Sequence, residues 1–173
     1  LDREVERIIG CPILVVGADG NIGRALSTGL QRLGADMFET TRRFDSVGSR
    51  RLYLDLLMPE DKWELPKSIQ ISFVCAGVTV LKDCERNPVD TYSFYVDNTL
   101  SVRPRLFDIG STVIYLSTVA VVDGNSPFAS VDAAVQTSCE YSLQKAEVER
   151  TLLEWNEDRV VILRMTKVLS PQM

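Results

Sequence analysis

The chain alternates short apolar runs with longer stretches whose apolar residues recur every three or four positions. Ile13 to Val16, Ala35 to Thr40, Leu52 to Leu56, Ile69 to Cys75, Ser111 to Leu116 and Val160 to Leu163 read as six strands. Between them, Ile22, Ala25, Leu26, Leu30 and Leu33 recur at helical spacing, with Gly34 where a C-terminal cap belongs. Glu85 to Val102, entered through Asn87-Pro88, reads as a helix, and Thr137 to Trp155 as a strong one; Met58 to Lys67, with two prolines, connects. Strands alternating with helices at this pitch predict an α/β domain built on a doubly wound parallel sheet. The mostly apolar fourth strand belongs near its centre. No internal repeat, low-complexity tract or linker interrupts the pattern, so residues 1–173 form one domain.

The densest signal lies where the first strand meets the first helix, in Gly17-Ala18-Asp19-Gly20-Asn21-Ile22-Gly23. Gly17 suits a tight turn, Gly20 lets an anion approach the backbone, and Gly23 lets the helix lie close to the sheet. The helix N-terminus then offers unpaired N–H groups and the positive end of its dipole to a pyrophosphate. In such sheets ligands bind beyond the carboxyl ends of the strands. Five of those ends carry candidate residues: this turn, Thr41-Arg42, Asp55-Leu56, Cys75-Ala76-Gly77 and Ser117-Thr118. An acid near position 41 would mark the ribose hydroxyls of NAD, but the residues are Thr41-Arg42-Arg43. Guanidinium groups pair with a 2′-phosphate through forked, charge-assisted hydrogen bonds, so the expected cofactor is NADP rather than NAD. Asp55 is placed to meet the adenine amino group, and the small residues Cys75, Ala76 and Gly77 let the chain pass beside the cofactor.

Composition narrows the chemistry. The net charge of −5 argues against nucleic acid or an anionic membrane as partner. No apolar run is long enough to span a bilayer, and the start of the chain is charged where a signal peptide would be apolar, which points to the cytoplasm. Four scattered cysteines predict neither a metal site nor a disulfide scaffold. With no histidine in the chain, proton transfer falls to Tyr, Lys or carboxylates. Tyr141 and Lys145 stand one turn apart on the late helix, after Thr118. Tyr141 would protonate a ketone oxygen, Lys145 would lower the phenol pKa and hold a ribose, Thr118 would orient the carbonyl, and Asn98 would steady a water behind Lys145.

Taken together, Gly17-x-x-Gly20-x-x-Gly23, Asn98 and Tyr141-x-x-x-Lys145-x-x-x-Glu149 resemble the extended short-chain dehydrogenase/reductase family. Cys84 to Pro88, Ser117-Thr118 to Asp123-Gly124 and Leu163 to Val168 resemble its dTDP-4-dehydrorhamnose reductase branch. The resemblance implies a Rossmann fold and NADP(H)-dependent chemistry at C4 of a nucleotide-linked keto sugar, with Thr118, Tyr141 and Lys145 as the triad. It also implies pairing of two copies through the helices that hold Asn98 and Tyr141. Val119-Ala120 and Val168-Leu169-Ser170 depart from that branch, and the chain ends at Met173 where its members continue into a substrate domain. A non-catalytic NADP-binding module and an epimerase or dehydratase therefore stand as alternatives.

Overall fold

In the computed structural model, residues 6, 8–77, 81–122 and 129–166 are described. Val78, Thr79, Asp123, Gly124 and the motif residues from Lys167 onward lie outside them. Six strands form one sheet in the order β3-β2-β1-β4-β5-β6, all neighbours parallel. They are β1 (Ile13–Val16), β2 (Met37–Thr41), β3 (Arg51–Tyr53), β4 (Ile71–Val74), β5 (Thr112–Thr118) and β6 (Val160–Met165). This is the strand order of a Rossmann-type α/β fold. The order reverses beside β1, so the carboxyl ends of β1 and β4 open a crevice there.

Both faces of β1 are covered. Leu14 and Val16 join one core with Val102, Leu106, Val148 and Leu152, while Ile13 and Val15 join another with Leu30 and Met37. The first core is supplied by α4 (Asn98–Asp108) and α5 (Glu140–Asn156), the second by α1 (Asn21–Arg32). Helix α1 turns Gly23, Ser27 and Leu30 inward, whereas Ala25 is exposed and Leu33 is 43% exposed. The apolar periodicity thus misplaces part of the buried face. The helix lies so close to the glycine turn that small residues, not large apolar ones, face it. It closes with paired bonds from Gly34 N–H to Gln31 O and Ala35 N–H to Leu30 O, the Schellman arrangement, with Gly34 at φ 72°.

The helix expected over Glu85 to Val102 is segmented. Helix α2 (Leu81–Arg86) stops before Asn87, α3 (Pro88–Tyr92) restarts with proline in its first turn, and a π-helical segment (Ser93–Asp97) leads into α4. Pro88 has no N–H to continue the preceding helix. Helix α4 runs past Val102 and through Pro104 to Asp108, held by Leu106, which is fully buried. Strand β5 extends through Ser117 and Thr118 instead of stopping at Leu116. Helix α5 begins at Glu140, not Thr137.

Candidate active site

The crevice begins at the glycine turn. Gly17 has φ 86°, and a Cβ there would come within 2.7 Å of Ala76 N, so only glycine fits without strain. Its N–H donates to Thr40 Oγ1 at 2.9 Å, and Ala18 N–H donates to Thr40 O at 3.2 Å, which ties the turn to the end of β2. At Gly23 a Cβ would meet Gly17 O at 2.3 Å. At Gly20 the nearest such contact, again Gly17 O, is 3.5 Å away, an ordinary van der Waals distance, so the protein itself would tolerate a side chain there. Gly20 caps α1 with extended backbone, no side chain caps the helix, and its first turn holds no acid. The cradle and the dipole end therefore suit the phosphates of a dinucleotide.

Val16, Gly17, Asp19, Gly20, Thr40, Thr41, Arg42, Leu54, Asp55, Leu56, Cys75, Ala76 and Gly77 line one groove with a cavity volume of about 170 Å³. The structure thus brings together residues from the ends of β1, β2 and β4 and from the segment after β3. Of the cofactor-binding candidates from the sequence, Asn21, Ile22, Gly23, Arg43, Ser117, Tyr141 and Lys145 do not line this groove. Arg43 is exposed, and its N–H donates to Thr41 Oγ1 at 3.0 Å. Ser117 is buried inside β5, its hydroxyl unpartnered among the described residues.

At the β2 end Thr41 is buried, and its hydroxyl donates to Asp19 Oδ2 at 2.8 Å. Arg51 Nη2 donates to Asp19 Oδ1 at 2.5 Å, and its Nη1 pairs with Glu39. Burial pushes the Asp19 pKa up, but the bonds from Thr41, Arg51 and the Arg42 N–H outweigh it and hold the carboxyl below its ordinary range. Asp55 lies beyond β3 rather than in it, accepting from Leu57 N–H at 3.0 Å and, through its carbonyl, from Trp63 Nε1 at 2.7 Å. Sequence reasoning missed Thr40, Leu54 and the Asp19–Arg51–Glu39 network.

Gly77 leads from the groove to the catalytic candidates: a Cβ there would sit 3.9 Å from Lys145 Nζ. Lys145 is 9% exposed, donates to Leu116 O at 2.9 Å and lies 4.6 Å from the centre of the Tyr115 ring. Burial lowers its pKa to about 8, against the opposing influence of Glu149, Cys75 and Cys84. Burial also pushes the Cys75 thiol up to about 12. The Thr118 hydroxyl accepts from Ala120 N–H at 3.2 Å, which leaves its own hydrogen to donate. Asn98 opens α4 immediately after the π-helical segment, a placement frequent at functional sites. One expectation needs correction. The Tyr141 pKa is raised, by burial and then by Cys84 and Cys139, rather than lowered by Lys145. The lysine ammonium is directed into β5, so its charge does not offset the burial of the phenol. Behind Lys145, Glu149 accepts from Arg164 Nη2 at 2.8 Å and Nε at 3.1 Å, locking α5 to β6.

Solved structures share this fold. An epimerase from the thermophilic methanogen Methanothermobacter thermautotrophicus matches with TM-score 0.75 and 19% identity over 94% of this chain and 53% of its own. RMD from Pseudomonas aeruginosa, complexed with NADPH, matches with TM-score 0.69 and 20% identity over 93% and 55%. UDP-glucuronic acid 4-epimerase from Bacillus cereus, in complex with UDP-glucuronic acid and NAD, matches with TM-score 0.70 and 19% identity over 88% and 55%. The chain therefore spans about half the length of these proteins. A comparison with curated protein sequences gives no match. Among the described residues no helix is long and apolar enough to cross a membrane. Residues 13–173 match the model of the NAD dependent epimerase/dehydratase family, and the chain belongs to that family.

Proposed function

We propose that this chain is the cofactor-binding part of an NADP(H)-dependent oxidoreductase acting at C4 of a nucleotide-linked keto sugar, similar to dTDP-4-dehydrorhamnose reductase. The observation that carries the reading is the continuity of the groove. It runs from the uncapped start of α1, past the side chain of Arg42, to Gly77 against Lys145. In this reading Gly17, Gly20 and the first-turn amides of Asn21, Ile22 and Gly23 hold the pyrophosphate. Arg42, with Arg43 beside it, takes the 2′-phosphate, Asp55 and Leu56 border the adenine, and Cys75, Ala76 and Gly77 border the nicotinamide ribose. When bound, the cofactor supplies the hydride.

The chain's own residues handle the proton. Tyr141 donates to the ketone oxygen in reduction and accepts from the alcohol in oxidation. Thr118 offers its free hydrogen to the same oxygen. Lys145 donates to a ribose hydroxyl. Because burial raises the phenol pKa, the positive charge of an oxidised nicotinamide has to work against it. Asn98 steadies a water that returns the proton. Homodimerisation through the helices of Asn98 and Tyr141 fits the exposure of Leu143 and Trp155 on α5 and of Val89 and Tyr92 on α3, which precedes the helix of Asn98, and sedimentation velocity tests it.

The family and the neighbours favour a second reading, a nucleotide-sugar epimerase or dehydratase, in which hydride returns to the sugar. The test mixes the chain, and a form carrying any natural C-terminal extension, with a nucleotide-linked 4-keto sugar and NADPH. Stoichiometric loss of NADPH absorbance, abolished in Tyr141→Phe, is expected for the reductase. A parallel reaction with a nucleotide-linked hexose and oxidised cofactor, giving isomerised or dehydrated sugar with no net reduced cofactor, would establish the second reading. Cofactor binding with no turnover in either form would mark a non-catalytic module.

A further inference from the structure

The ion network behind the groove bears on which cofactor the groove accepts. Glu39 and Arg51 are partners in the β2–β3 register, so their side chains emerge on one face of the sheet. One guanidinium there compensates two carboxylates, pairing with Glu39 through Nη1 and with Asp19 through Nη2 at 2.5 Å. Glu39 and Asp19 are sheltered, at 14% and 21% side-chain exposure, so solvent screens them weakly. Asp19 is also bonded to the Arg42 N–H. The Arg42 side chain itself has no hydrogen bond or ion pair among the described residues, and it lines the groove.

Uncompensated, the two carboxylates would do two things at this end of the groove. They would repel a phosphate, and they would draw the neighbouring Arg42 guanidinium into an ion pair. Arg51 prevents both, without itself lining the groove. We infer that Arg51 sets cofactor specificity: by pairing with Asp19 and Glu39 and offsetting part of their charge it leaves Arg42 free for a 2′-phosphate, and its loss turns the groove toward the dinucleotide that lacks one. The inference rests on the cofactor reading above. Arg51 is a positioning residue in it, acting through Asp19 and Arg42. Thr41 cannot replace it, because a hydroxyl donates a hydrogen bond to Asp19 but brings no charge.

The test is calorimetric titration of the wild-type chain, Arg51→Met, Arg51→Met/Asp19→Asn and Asp19→Asn with NADPH and with NADH. Wild type is expected to prefer NADPH. Arg51→Met is expected to weaken NADPH by at least about tenfold while changing NADH by less than about threefold, since a charge at this end of the groove acts more strongly on the extra 2′-phosphate than on the pyrophosphate both cofactors share. The double variant is expected to recover most of the NADPH affinity, one of the two unpaired carboxylates having gone. A merely structural role for Arg51 would weaken both cofactors by the same factor and show no recovery in the double variant, and either result overturns the inference. Asp19→Asn keeps the test alive if Arg51→Met does not fold. It leaves Arg51 matched one to one with Glu39, so NADPH affinity relative to NADH affinity should rise by about twofold or more; a fall in that ratio is a refutation. Wild type that binds neither cofactor sinks the groove reading itself, whereas wild type that prefers NADH sinks the inference and spares the groove.

Discussion

Lys145 should make this fold less stable at neutral pH than it is in mild base, and the effect can be sized. Its ammonium is 9% exposed, with one hydrogen bond, to Leu116 O, and the face of Tyr115 as its company. Its pKa falls from 10.5 to about 8, which makes the charged form costlier by about 3 kcal/mol in the folded chain than in the unfolded one. The sign follows from proton counts. Between about 8 and 10.5 the unfolded chain binds more protons at this site, so stability rises with pH through that window. Below about 8 both states are protonated and the whole cost is present. Other groups titrate in the same range, so the quantity to measure is a difference between two proteins. Urea unfolding of wild type and Lys145→Met at pH of about 7, 9 and 10 gives it. Relative to the variant, wild type should gain about 1 kcal/mol by pH 9 and about 2–3 kcal/mol by pH 10. A flat difference, or one that falls with pH, would refute the claim that Lys145 is a desolvated ammonium and with it the account of how the site is charged.

Other substitutions report on neighbouring parts of the same design. Gly23→Ala forces a Cβ to within 2.3 Å of Gly17 O and should lower stability by about 1–3 kcal/mol, read as a reduced urea midpoint. Arg103→Met should raise that midpoint, with a stability gain of about 1 kcal/mol or more: Arg103 is 5% exposed, its guanidinium carbon stands 3.2 Å from the centre of the Trp155 ring, and its Nε and Nη1 have no hydrogen bonds among the described residues. An unchanged or lower midpoint would mean that the stacked cation is well accommodated. Glu149→Gln removes the carboxylate that Arg164 grips and should cost about 3 kcal/mol. It should also shift the pKa of Lys145 further down, since Glu149 raises it, and the pH dependence of the wild-type-minus-Lys145→Met difference, repeated in that background, detects the shift.

Much of this architecture is legible in the residues because the signals are local. Ile13–Val16 is bounded on one side by Pro12 and on the other by Gly17, and the strand observed has those bounds. Once six strands and their connecting helices are in order, the carboxyl ends follow, and Thr41, Arg42, Asp55 and Cys75 to Gly77 have to meet near Gly17. What escapes is whatever depends on register or burial. The pairing of Arg51 with Glu39 and Asp19 joins residues whose sequence separations are 12 and 32, through a strand only three residues long. No composition or spacing rule singles out that arginine among the others. The break at Asn87 and the π-helical segment before Asn98 arise where a proline and tertiary packing both act on one helical run, and periodicity averages over them.

The Tyr141–Lys145 pair shows the same division most sharply, and its consequence is chemical. Spacing places phenol and ammonium on one face of α5, but it is silent on how dry that face is. In the structure dryness dominates: it raises the Tyr141 pKa and lowers that of Lys145, so both groups are pushed toward their neutral forms. A phenol kept protonated is a competent acid for a ketone oxygen and a poor base for an alcohol until positive charge arrives beside it. In the proposed reaction Tyr141 is thus set to donate a proton, and an oxidised, positively charged nicotinamide is what would bring it to its basic form. On this account the Tyr141 titration should shift to lower pH when oxidised cofactor replaces reduced cofactor in the complex. A Tyr141 titration that did not move between oxidised and reduced cofactor would show that Lys145, not the cofactor, sets the base.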